Sequence, residues 1–122
     1  MKTRAQQIMS DKDARTPQEV TQCIHDIAAE FEPYIIKQRR HFHKHPEPSL
    51  AEVRTTSDIA NQLDAMNIPY ERPLKTGLVA TLRGTAPDAY REDGTPRRRI
   101  LLRADIDALP VTEQTGEEFA SV

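Results

Sequence analysis

The chain has 122 residues, a length that suits one compact domain and excludes two full-sized ones. Its 17 basic and 19 acidic residues give a net charge of -2, so nothing in the charge balance points to a nucleic-acid partner. No apolar run approaches a membrane span, and the single cysteine, Cys23, excludes a disulfide framework or a cysteine-only metal cage within the chain.

Composition is polar for a self-sufficient domain, with 37% hydrophobic residues, a mean hydropathy of -0.68 and a pI near 6.1. Residues 1–15 mix charges without periodicity and read as a disordered or frayed tail. They lack the apolar stretch of a secretory signal, and Asp11 and Asp13 disfavour a mitochondrial presequence. The location expected from this is cytoplasmic, with no membrane partner.

Thr16-Pro17-Gln18-Glu19 is a capping box with proline at the first helical position. Val20, Ile24, Ile27, Phe31 and Ile35 follow on one helical face, and the pattern runs to about His43. Pro33 predicts a kink or two abutting helices. His45-Pro46-Glu47-Pro48 must leave the helix, because each proline drives its predecessor toward extended geometry. Ser49-Leu50-Ala51-Glu52 reads as a second capping box. It opens a helix from Leu50 to about Met66, with Val53, Ile59, Ala60, Leu63 and Met66 inward and Asn67 as its stop.

The period then becomes strand-like. A short strand is expected over 68–72, a turn at Lys75-Thr76-Gly77, and a strand over 78–82. Residues 85–98 form a turn-rich polar loop. Arg99-Ile100-Leu101-Leu102-Arg103 reads as a strand covered on both faces and paired with 78–82. Two helices followed by three strands define the fold class as α/β.

Two clusters carry the residue types of metal chemistry. His41 and His45 stand at i and i+4, the spacing of a helical metal pair, and in an extended chain His43 would join them on one side. The competing reading is a polar helix end, where histidines suit the dipole. Asp105 and Asp107 lie two apart, directly after the best strand, where ligand sites gather in open α/β sheets. Such a pair suits a hard cation, or a role orienting a ligand histidine. The apolar frame of Leu101-Leu102 and Ala108-Leu109-Pro110 predicts that the pair is partly buried. An ordinary solvated loop is the alternative. Cys23 reads as a packed helix residue rather than a reactive thiol, and Arg97-Arg98-Arg99 as a solvated loop rather than a phosphate contact.

In chain order, His43-Lys44-His45-Pro46-Glu47, Glu52-Val53-Arg54-Thr55, Lys75-Thr76-Gly77-Leu78-Val79-Ala80-Thr81-Leu82 and Leu102-Arg103-Ala104-Asp105-Ile106-Asp107-Ala108-Leu109-Pro110-Val111-Thr112-Glu113 make a specific set. Together they closely resemble the amino-terminal portion of the metal-dependent amidohydrolases of the aminoacylase, hippurate hydrolase and indole-3-acetyl-amino-acid hydrolase type. The resemblance runs from about Ile35 to Val122.

It implies a zinc-peptidase-like catalytic α/β domain, of which residues 16–122 are an incomplete amino-terminal part. The family's smaller inserted dimerisation domain lies outside this chain. It also implies hydrolysis of the amide bond of N-acyl amino acids. In the family a pair of divalent metals, Zn or Mn, activates a water and a glutamate serves as general base. Asp107 falls on the aspartate that orients a metal-ligand histidine, and Asp105 where the wider superfamily has a ligand histidine. His43 and His45 match a structural motif, so His41, His43 and His45 remain only an alternative metal patch. The family's ligands begin with a Cys-Gly-His-Asp segment shortly after the position of Ser121, beyond Val122. Glu117 and Glu118 do not match its glutamate. The expectation is therefore a truncated amidohydrolase whose isolated chain binds no metal tightly and is inactive. The full family is often homodimeric. The alternative is a non-catalytic binding or structural module that keeps the half-domain.

Overall fold

The computed structural model describes residues 16–86 and 88–122; the expected tail over 1–15 lies outside them. The chain divides into two compact units, Met1–Phe42 and His43–Val122.

The first unit is built on helix α1, Pro17–Lys44, whose last two residues lie in the second unit. The expected capping box forms: the Glu19 N–H donates to Thr16 Oγ1 at 3.3 Å, and the Thr16 N–H donates back to Glu19 Oε2 at 2.6 Å. Pro33 sits inside one uninterrupted helix, so the expected division into abutting helices does not occur. A single proline removes one N–H from the ladder, and the remaining bonds of a 28-residue helix carry the element across it. No described residue of α1 is buried. Val20, Ile24, Phe31 and Ile35 are exposed, and Ile27 and Cys23 are half-buried.

In the second unit, helix α2 spans Val53–Ala65, shorter at its start than the expected Leu50–Met66. The second capping box does not form. Leu50 takes a positive φ of 67°, and the Glu52 side chain makes no cap hydrogen bond. The turn brings Glu47 to the helix end instead. Its Oε1 accepts the Arg54 N–H at 3.0 Å and its Oε2 accepts the Thr55 N–H at 2.8 Å, two of the orphan donors of the first turn. Asn67 ends the helix as expected. It has φ 55°, its N–H donates to the Asp64 carbonyl at 3.0 Å, and the Ile68 N–H donates to the Leu63 carbonyl at 2.9 Å. This is a Schellman closure with asparagine in the left-handed position.

The inward face of α2 is shifted from the expected one. Thr55, Thr56 and Ala60 are buried, Ile59 and Leu63 half-buried, and Val53 and Met66 exposed. The threonines go inside because they have work there: the Thr56 hydroxyl accepts the Gly77 N–H at 2.9 Å. Gly77, with φ 83°, makes the turn expected at 75–77. That turn returns the chain so that β1, Tyr70–Glu71, pairs antiparallel with β2, Val79–Ala80, in the register Tyr70↔Ala80 and Glu71↔Val79. The polar loop beyond closes on itself through a bridge between Tyr90 and Pro96 and an Arg91 N–H to Thr95 carbonyl bond of 2.8 Å.

The α/β class holds, with two helices preceding a two-stranded sheet among the described residues. The third expected strand is the exception. Residues 99–103 form no ladder with 78–82, and Ile100, Leu101 and Leu102 are 88%, 88% and 90% exposed. An apolar run marks a strand fit for cover on both faces, but a strand exists only where a neighbour supplies the ladder. No described element does so here.

Candidate active site

Asp105 and Asp107 lie in the exposed segment after residue 103, so the acidic pair is not partly buried as expected. The apolar residues that frame it have no cover, and so they leave the carboxylates in solvent. Asp105 Oδ1 accepts a 2.7 Å bond from the Arg103 guanidinium, with both side chains largely exposed. Asp107 is exposed, and the next residue is anchored: the Ala108 N–H donates to the Glu47 carbonyl at 2.8 Å.

The loop that follows is tied back onto the end of α1. His43 Nε2 stands 3.0 Å from Glu113 Oε1. The Ser121 N–H donates to Glu113 Oε2 at 3.3 Å, and the Ser121 hydroxyl donates to the Val111 carbonyl. Lys44 Nζ donates to the Glu118 carbonyl at 3.2 Å, and the Lys44 carbonyl accepts the Val122 N–H at 3.2 Å. The His43 and Phe119 rings meet edge to face at 6.1 Å.

Electrostatics follow these contacts. The hydrogen bond from His43 holds the Glu113 carboxyl below the usual glutamate range, helped by the Ser121 N–H against the opposing effect of desolvation. For Glu47 desolvation is the largest influence and pushes upward, but the Thr55 and Arg54 N–H groups together outweigh it and lower the pKa. Glu52 is only 7% exposed and is lowered by backbone N–H groups and the Thr76 hydroxyl. Its Oε2 has no hydrogen-bond partner among the described residues.

The three histidines lie in different surroundings. His41 is exposed with its ring edge-on to Phe42, His43 is committed to Glu113, and His45 is half-buried. Among the described residues, no group of three or more His, Cys, Asp or Glu side chains is arranged to hold a metal ion. Sequence reasoning places Glu113 in the run that carries the resemblance without giving it a task, and it assigns none to Ser121. A signal existed in the lone glutamate following Pro110-Val111-Thr112, but it pairs with a histidine 70 positions away, which spacing does not show.

Comparison with known proteins finds relatives in sequence and in fold. The chain is 43% identical over 88 residues to an uncharacterized hydrolase of Staphylococcus saprophyticus, covering 72% of this chain and 20% of the relative. An uncharacterized hydrolase of Staphylococcus haemolyticus matches to the same extent, at 43% identity over 88 residues. Among solved structures, the YXEP protein of Bacillus subtilis, a dinuclear metal binding peptidase from the M20 family, superposes with a TM-score of 0.61 at 40% identity, covering 76% of this chain and 24% of that one. No protein-family model matches the chain. The chain spans about a fifth of the length of the curated relatives it matches. Over the matched residues the chain is thus similar in sequence to curated hydrolases, and in sequence and fold to a dinuclear metal binding peptidase of the M20 family.

Proposed function

We propose that the chain is the amino-terminal portion of the catalytic domain of a metal-dependent amidohydrolase that cleaves the amide bond of N-acyl amino acids. The metal is Zn²⁺ or Mn²⁺, and the location is cytoplasmic. Asp107 orients a metal-ligand histidine contributed by sequence outside this chain, and Asp105 stands beside the site without binding metal. The observation that carries this reading is the Arg103-Ala104-Asp105-Ile106-Asp107-Ala108-Leu109-Pro110 run, in a chain 40% identical, over the 76% that matches, to a dinuclear metal binding peptidase. By itself, the 122-residue chain is inactive on this reading. An inserted dimerisation domain and a homodimeric whole belong to the same proposal.

The test is a chimera in which residues 35–122 replace the matching segment of the Bacillus subtilis protein. With Zn²⁺ or Mn²⁺ it is expected to hydrolyse N-acyl amino acids, while the isolated chain under the same conditions does not. A folded chimera that cleaves only unacylated dipeptides contradicts the substrate class. Turnover by the isolated chain contradicts its inactivity.

A further inference from the structure

The proposed function leaves one singled-out motif without a task, His43-Lys44-His45-Pro46-Glu47. We infer that the His43–Glu47 turn is a positioning rail that sets the register of the loop from Asp107 to Val122, with Glu113 as the clamp that locks it. That the loop it positions is part of an active site rests on the function proposed above.

The contacts run in order along the turn. His43 takes the Glu113 carboxylate through its ring, Lys44 takes the Glu118 carbonyl and the Val122 N–H, and the Glu47 carbonyl takes the Ala108 N–H beside Asp107. The rail is itself fixed, because the Glu47 carboxylate caps α2 at Arg54 and Thr55. One residue therefore ties the start of a helix to the neighbour of the candidate site aspartate.

Glu113 closes the far side. One carboxylate oxygen faces His43 and the other accepts the Ser121 N–H, while the Glu113 N–H donates to the Ser121 carbonyl at 3.3 Å. Both arms of the loop, Val111–Glu113 and Ser121, thus close on a single carboxylate that is held by the rail. Ser121 is buried at 6% exposure, and its hydroxyl is spent on the Val111 carbonyl.

Hydrogen bonds rather than apolar burial hold this loop. Between Val111 and Val122 only Ser121 is buried, and Phe119, Ala120 and Glu113 are half-buried. Burial of apolar surface is non-directional, whereas hydrogen bonds weaken steeply with distance and angle. A loop held in this way has its register set, which is what a site residue needs from its support.

Amide hydrogen exchange on the 122-residue chain tests the rail without metal or substrate, so its outcome is independent of whether the hydrolase reading stands. The variants are His43→Ala, Glu113→Ala and Glu113→Gln. Both alanine variants are expected to speed exchange at Ser121 and Glu113 about tenfold or more, the scale of one lost hydrogen bond to a charged group. The Thr56 amide in α2 and the Ala108 amide on Glu47 should keep their rates. Glu113→Gln retains an acceptor oxygen, so it should restore most of the protection at Ser121. Unchanged exchange at Ser121 in His43→Ala overturns the inference. So does a parallel rise at Thr56 and Ala108, which would make His43 a general stabiliser, and so does a Glu113→Gln variant as loose as Glu113→Ala.

Discussion

The two sides of Asp107 show two ways in which a recognisable motif can sit in a folded chain. Residues 99–107 carry the strongest apolar run, yet the side-chain hydrogen bond they make is the local Arg103–Asp105 pair. Residues 108–122 are far less apolar, yet they are tied to positions 43, 44 and 47 by named hydrogen bonds. Apolar side chains need a covering surface before they fix anything. A carboxylate or a carbonyl needs only one well-placed donor.

The largest expected effect follows from the uncovered side. Replacing Leu101 and Leu102 with serine removes two side chains that would each contribute about 1.5–3 kcal/mol on burial. The uncovered run is expected to drive self-association of the isolated chain, and the double variant should weaken it by two or more orders of magnitude, at about 1.4 kcal/mol per tenfold. Concentration-dependent light scattering checks this, and equal association by the variant would show that 99–103 is not the sticky surface. On the anchored side, Glu47→Ala removes the α2 cap and should destabilise the second unit by about 1 kcal/mol. Thermal unfolding followed by helical circular dichroism measures it, and an unshifted midpoint would break the link between turn and helix.

A pH titration sharpens the contrast further. The Glu113 pKa is lowered in the folded chain, chiefly by the His43 hydrogen bond. The carboxylate's contribution is therefore fully present above the unfolded glutamate range of about 4.3 and is lost as pH falls through the lower folded value. Protection at Ser121 should hold steady from neutral pH down to that range and weaken only below it, toward the level of Glu113→Gln, while 99–103 shows no matching transition. Loss of protection well above that range would assign the control to another group. The smallest effect belongs to the exposed ion pair. Asp105→Asn should leave the thermal midpoint unchanged within error, since exposed pairs contribute little.

Local signals were legible from the sequence where local chemistry decides the outcome. Thr16 and Glu19 formed their capping box, Asn67 stopped α2, and Gly77 made its turn. Where long-range contact decides, the sequence was silent or misleading. Ser49 and Glu52 have the pattern of a capping box, but Glu47 reaches the helix end first because Leu50 turns the chain. The run at Ile100–Leu102 has the composition of a strand, and the described chain offers it no neighbour. In the candidate site, Asp105 and Asp107 were legible as a motif and from their resemblance to a known family. Their exposure was not, and nor was the Glu113 clamp, because each depends on what other parts of the chain bring near.

Asp107 in a working hydrolase gives the most direct test. In the chimera with the Bacillus subtilis protein, Asp107→Asn keeps the shape of the side chain but removes the charge that orients a ligand histidine. The account predicts a loss of about 10- to 100-fold in kcat/KM or metal affinity, the usual cost of removing such a partner, with the thermal midpoint unchanged. Full activity and full metal affinity in that variant would contradict it.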